Sequence, residues 1–173
     1  MAGESDKKRI IDDCVEIYRD LVKSLKIGDW NAAKEFLNRH PPAISAKITV
    51  RGKTALHVAA EAGHVHIVEE LVKQMSEENL EIKDIDGYTA LARATCNGNY
   101  RIAECMLGQN ENLVSIPNHN GMLPVSLALC TGHLKLARYL YLRTPLEISK
   151  PEIGTVVVTV VNEAIYNNAL GKN

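Results

Sequence analysis

The chain has 173 residues, 46% hydrophobic and 24% charged, with a formal net charge of -1. This is the composition of one soluble domain able to bury a core, and a charge so near zero argues against general binding to nucleic acid or an anionic membrane, which needs a positive field to gather phosphate. Cys14, Cys96, Cys105 and Cys130 show no paired metal-ligand spacing, and nothing at the start reads as a secretory signal, so a reduced, intracellular setting is expected. The longest strongly apolar run, Thr155 to Val161, is far short of the roughly 20 residues of a membrane-crossing helix.

In chain order, residues 1–12 are polar and charged apart from Ile10 and Ile11, and read as a mobile tail. Asp13 followed by Glu16 resembles a capping box, and a helix is expected from about Cys14 to Ile27. Gly28 follows. The clearest unit lies between Gly52 and Val72, where two short amphipathic helices flank Gly63: Leu56, Ala59 and Ala60 face inward before it, and Ile67, Val68, Leu71 and Val72 after it. Helices this short are unstable alone, and one hairpin cannot hide its apolar side, so copies must stack on it.

Alignment on the glycines supplies those copies. Leu56 falls on Leu21, Leu91 and Val125; Val68 falls on Ala33, Ala103 and Ala137. The steps between Gly28, Gly63, Gly98 and Gly132 are 35, 35 and 34 residues, so the chain is a repeat protein. A helix that stops and reverses commonly does so through a residue at positive φ, the conformation glycine adopts without a Cβ clash. Between hairpins, Arg51-Gly52, Asp86-Gly87 and Asn120-Gly121 read as tight turns at the tips of extended fingers, with Ile48, Val50, Ile82 and Ile85 favouring extended backbone.

The stretch GKTALHVAAEAGHVHIVEELV resembles the ankyrin repeat, differing from its usual form mainly at Ala55, where proline is common. The resemblance implies an all-α solenoid of stacked helix-turn-helix units with β-turn fingers. Its expected divisions are a capping repeat at 13–48, repeats at 49–82, 83–116 and 117–150, and an incomplete fifth at 151–173. GDWNAAKEFL and NGMLPVSLALCTGHLKLARYLY are further similar to plant ankyrin proteins that continue into a membrane-spanning PGG-type domain. That resemblance implies a cytosolic array, at a membrane face where the domain is present, and a place in defence or stress signalling. The resemblance also gives Thr54 and His57 a structural role, joining finger backbone to helix.

No residue pattern points to chemistry. No catalytic residue, metal site or cofactor is expected, since no phosphate loop, nucleophile arrangement, carboxylate pair or metal cluster stands out. His64 and His66 are two apart, which on a helix points them to different sides. Cys96 and Cys130 occupy equivalent positions on first helices about 8 to 10 Å apart, too far for an ordinary disulfide. Cys105 is expected in the buried column of a second helix, and Trp30, Val65, Tyr100 and Leu134 in an apolar column rather than a base-stacking platform.

Residues free of packing duty remain on the finger tips and the outer side of the first helices. By register these are Val50, Arg51, Lys53, Glu61 and Ala62; Ile85, Asp86, Tyr88, Cys96 and Asn97; and His119, Asn120, Met122, Cys130 and Thr131. A band mixing Arg and Tyr with Val, Ile and Met suits a protein partner on a concave face, without nucleic acid and without membrane insertion by this chain. An alternative function is the cytosolic regulatory part of a membrane channel- or transporter-like protein. A third is an inhibitor or scaffold covering a catalytic cleft.

Overall fold

The glycine register becomes four helical pairs in a computed structural model that describes residues 16–145. In chain order these are α1 (Arg19–Ile27) with α2 (Trp30–Arg39), α3 (Ala55–Ala62) with α4 (Val65–Val72), α6 (Ala90–Cys96) with α7 (Tyr100–Gln109), and α8 (Pro124–Cys130) with α9 (Leu134–Tyr141). A single turn, α5 (Glu77–Leu80), lies between the second and third pairs. The described residues contain no strand, and the fold is the all-helical repeat solenoid expected. The tail at 1–12, Asp13, Cys14 and the fifth repeat at 151–173 lie outside the described residues.

The first helices form one column, with α1 on α3, α3 on α6 and α6 on α8, while α4 packs on α7. Leu21, Leu56, Leu91 and Val125 are buried at the same position of the four inner helices. Ala59, Ala94 and Ala128 are fully buried, small residues that let inner helices approach closely. In the outer helices the buried positions are Ile67, Ile102 and Leu136, then Leu71, Met106 and Leu140. Because each pair buries its apolar stripe against its neighbours, the solenoid has one continuous core.

Gly98 shows why the reversals need glycine. Its φ is 69°, and a Cβ there would sit 2.5 Å from Nδ1 of His133 in the next pair. The next pair's ring occupies the space a side chain would take.

Four local expectations change. Helix α1 runs from Arg19, preceded by a helical Glu16 and Ile17 and a turn at Tyr18, rather than continuously from Cys14. The segments between pairs begin with helical turns before any finger: Pro41–Ile44, Glu77–Leu80 and Glu111–Ser115. Proline presets φ for the first of these, two glutamates favour the positive end of the second, and the Asn110 side chain accepts the Asn112 N–H at 2.9 Å in the third. Cys105 is half-buried, because the register sets it beside Met106 rather than in the buried column. Trp30, Val65 and Tyr100 are likewise half-buried and Leu134 is 42% exposed, so this column forms a rim, where Trp30 meets His66 edge-on and Tyr100 lies 4.8 Å from Tyr139.

Candidate functional site

Three fingers project from the pairs, each closed by a turn whose glycine N–H bonds back three residues: Gly52 to the Thr49 carbonyl at 2.8 Å, Gly87 to Asp84 at 3.0 Å and Gly121 to Asn118 at 3.0 Å. The turn-opening side chain braces each one. Thr49 Oγ1 accepts the Lys53 N–H at 3.0 Å, Asp84 Oδ1 accepts the N–H groups of Asp86 and Tyr88 at 3.0 Å each, and Asn118 Oδ1 those of Asn120 and Met122 at 3.0 Å each. These side chains compete with extended pairing and hold a turn instead. Successive fingers are joined: the Ile85 N–H donates to the Arg51 carbonyl at 3.0 Å, and the His119 N–H reaches the Asp86 carbonyl at 3.5 Å. A Cβ on Gly87, whose φ is 81°, would lie 2.5 Å from the His119 backbone nitrogen, so glycine permits this approach.

The helices beneath are tied to one another by side chains. The His57 Nε2–H donates to the Tyr88 carbonyl at 2.9 Å, and its Nδ1 accepts from Thr54, at 2.8 Å from the hydroxyl and 3.3 Å from the backbone nitrogen. This single buried ring caps α3 and fastens its pair to the next finger. Burial pushes the His57 pKa below its ordinary value, which keeps the ring neutral as these bonds require. His64 donates to the Lys26 carbonyl at 2.9 Å, Asn99 to the Ala60 carbonyl at 3.2 Å, and His133 to the Cys96 carbonyl at 3.1 Å. One equivalent position therefore donates backwards across all three junctions. The described residues contain no group of three or more His, Cys, Asp or Glu placed to hold a metal.

Of the residues singled out by register, Val50 and Ile85 are large apolar side chains left 62% and 52% exposed on adjacent fingers. Arg51, Ala62, Asn97, His119, Asn120, Cys130 and Thr131 are also exposed. Lys53, Glu61, Asp86, Tyr88, Cys96 and Met122 are half-buried, and most of these are engaged inside the molecule. Lys53 Nζ lies 2.6 Å from Glu61, and Arg51 lies 2.7 Å from Asp86 across two fingers. Arg93 joins the groups: its guanidinium donates to Asp84 at 2.8 Å and Asp86 at 2.8 Å and stacks 4.2 Å over the Tyr88 ring. Hydrogen bonds from Arg51 and then Arg93 hold the Asp86 carboxyl below the usual carboxylate value. Burial pushes the Cys96 thiol up, which leaves it a poor nucleophile at neutral pH.

Arg93 and Asp84 are absent from the sequence-derived set, although a signal for them exists. The finger-opening and helix positions change together across repeats, as Thr49 with Val58, Asp84 with Arg93, and Asn118 with Leu127. Only the third pair carries charge at both places. The Asp84 side chain is fully buried, and Arg93 is the cation that compensates it.

A sequence profile described as "Ankyrin repeats (3 copies)" matches residues 18–116, more than half of the chain. The chain belongs to the ankyrin-repeat family. The finger, α8 and α9 that follow residue 116 repeat the same geometry beyond the matched segment. Among curated relatives, the "Ankyrin repeat and SAM domain-containing protein 6" of Mus musculus is 29% identical over 110 residues, covering 64% of this chain and 12% of the relative. The "Ankyrin repeat-containing protein ITN1" of Arabidopsis thaliana is 35% identical over 71 residues, 41% of this chain and 12% of that protein. The human "Calmodulin-binding transcription activator 2" is 32% identical over 100 residues, 52% of this chain and 8% of the relative. The chain thus spans about an eighth or less of each of these proteins. The ankyrin array is a protein-interaction module, and no helix among the described residues is long and apolar enough to cross a membrane.

Proposed function

We propose that the chain is a non-catalytic module that holds a partner protein against the concave face made by its fingers and the free sides of α3, α6 and α8. Its divisions by register are a capping repeat at 13–48 and repeats at 49–82, 83–116 and 117–150. The observation that carries this reading is the pair Val50 and Ile85, large aliphatic side chains held in solvent on neighbouring finger tips. Exposed aliphatic groups flanked by an arginine suit the centre of an interface better than a solvated edge. Lys53, Glu61, Asp86 and Arg93 below them are paired with one another, so a partner covering the tips does not strand these charges. Similarity to the plant group with a PGG-type domain supports a role in defence or stress signalling, in the cytoplasm or at the cytosolic face of a membrane.

The test is recovery of partners from plant extract by the intact chain and by a variant with Val50, Arg51, Ile85 and His119 changed to Ala. All four side chains are exposed, so circular dichroism is expected to be unchanged while partner recovery falls at least about tenfold. Equal recovery would overturn the assignment. The same similarity to the plant PGG-type group supports a second reading, in which the array is the cytosolic regulatory part of a membrane channel- or transporter-like protein. Sequencing the transcript past Asn173 decides it, since a frame with no long apolar segment removes that reading.

A further inference from the structure

Two adjoining clefts of about 420 Å³ and 360 Å³ lie between α1, the first finger and α3, and share Lys26, Thr49 and Arg51. Their walls are aliphatic, with Val22 and Val50 in one and Val58 and Ala62 in the other. Their charge is unbalanced. Among the described residues the lining holds four cations, Arg19, Lys26, Arg51 and Lys53, against two carboxylates, Glu16 and Glu61. Both carboxylates are already engaged, Glu16 with Arg19 and Glu61 with Lys53.

Lys26 has no ion-pair partner among the described residues. Among the described residues Arg51 is held only by Asp86, its side chain is 60% exposed, and Asp86 keeps Arg93 at 2.8 Å if Arg51 turns away. Both cations are therefore available to a ligand without stranding a buried charge. Along the face made by the finger tips and inner helices, the unpaired cation lies at this end. Positions equivalent to Lys26 carry Glu61, Cys96 and Cys130, and the surface over the last two pairs is formally uncharged at Asn97, Asn120, Met122 and Thr131.

We propose that this cleft pair engages a partner protein through an acidic segment with aliphatic side chains, its carboxylates paired with Lys26 and Arg51 and its aliphatic groups seated on Val22 and Val50. The occupant follows from charge complementarity: a basic segment meets net repulsion, and a neutral one leaves the excess cations unanswered. The finger face over the last two pairs, uncharged at Asn97, Asn120, Met122 and Thr131, then receives the less charged part of the same partner, which gives the bound chain one direction along the array. The inference rests on the reading of this face as an interaction surface and adds the chemistry of what docks there.

Fluorescence anisotropy of the full chain tests it, with a labelled peptide alternating glutamate and leucine as probe. Matched peptides carrying glutamine or lysine in place of glutamate are the comparisons. The acidic peptide is expected to saturate below about 1 mM and to weaken severalfold between about 50 and 300 mM salt, as exposed ion pairs are screened. Lys26→Gln is expected to weaken it about threefold and Lys26→Glu about tenfold, while Lys34→Gln, at an exposed position of α2 outside both clefts, leaves it unchanged. Circular dichroism at the exposed Lys26 checks that the fold is kept. No saturation below that concentration, equal binding of the glutamine peptide, or indifference to Lys26→Glu overturns the proposal. So does tighter binding to a single-stranded oligonucleotide or to phosphatidylserine vesicles than to the acidic peptide. An extract partner that depends on Val50 and Ile85 but ignores Lys26→Glu and salt refutes the acidic segment while leaving the finger face in place. A partner indifferent to the fingers as well removes both.

Discussion

Single residues in this array act across junctions, and two make the point with measurable consequences. His57 joins its own helix cap to the Tyr88 carbonyl of the next finger. Its removal strands that carbonyl and the Thr54 hydroxyl, so His57→Ala is expected to cost about 2 to 3 kcal/mol in urea denaturation. The pH dependence has a definite sign. Burial lowers the folded pKa from 6.5, so as pH falls the unfolded chain takes up this proton first. The stabilisation is whole above about 6.5 and is lost as pH falls from there through the lowered folded value. The stability gap between the native chain and His57→Gln should therefore narrow between about pH 7.5 and 5.5, and a constant gap would contradict it. Arg93 is the second case. Arg93→Ala leaves the fully buried Asp84 carboxylate with only backbone N–H donors and should cost about 2 kcal/mol. Arg51→Ala, at an exposed pair, should cost under about 1 kcal/mol.

At the scale of elements, the turns separate two roles of glycine that the sequence presents alike. Gly98 and Gly132 both have positive φ, 69° and 78°. A Cβ on Gly98 runs into the His133 ring at 2.5 Å, whereas a Cβ on Gly132 meets nothing within 4 Å among the described residues. Gly132→Ala is expected to cost about 1 kcal/mol from backbone strain alone, and Gly98→Ala at least about 1 kcal/mol more, with the His133 bond to Cys96 weakened. Thermal unfolding of the two variants measures the difference, and equal losses would show that the ring yields freely. The helices themselves were legible from periodicity, because Leu56, Ile67 and Leu71 mark a buried face whatever lies beyond it. The segments between pairs were less so. Their helical turns at 41–44, 77–80 and 111–115 are too short for a 3.6-residue period to register, and proline, serine and asparagine there signal only a break.

Across the whole molecule, stability passes from each pair to the next, so the array should behave as a row of coupled units. The junction between the first two pairs includes the His64 bond to the Lys26 carbonyl. In His64→Ala, hydrogen exchange is expected to release residues 19–39 at lower urea than residues 55–107, while the native chain opens these segments closer together. Unchanged separation would mean that apolar packing of α1 on α3 carries the coupling by itself.

The sequence alone determined the repeat, its glycine register, the inner and outer apolar stripes and the positions left free at the finger tips. Those follow from spacing along the chain, and any stack of such hairpins must bury the same faces. Tertiary structure decided which free positions are truly available. Lys53, Glu61 and Asp86 look like open surface in the register, yet they are drawn into the charge network centred on Arg93, whereas Val50 and Ile85 stay in solvent. It also showed that Asn99 performs the same backward bond as His64 and His133, an equivalence hidden by the change of side chain. The reason is physical: the backward bonds and the Arg51 bond to Asp86 join residues more than thirty positions apart, and their geometry exists only once neighbouring pairs have docked.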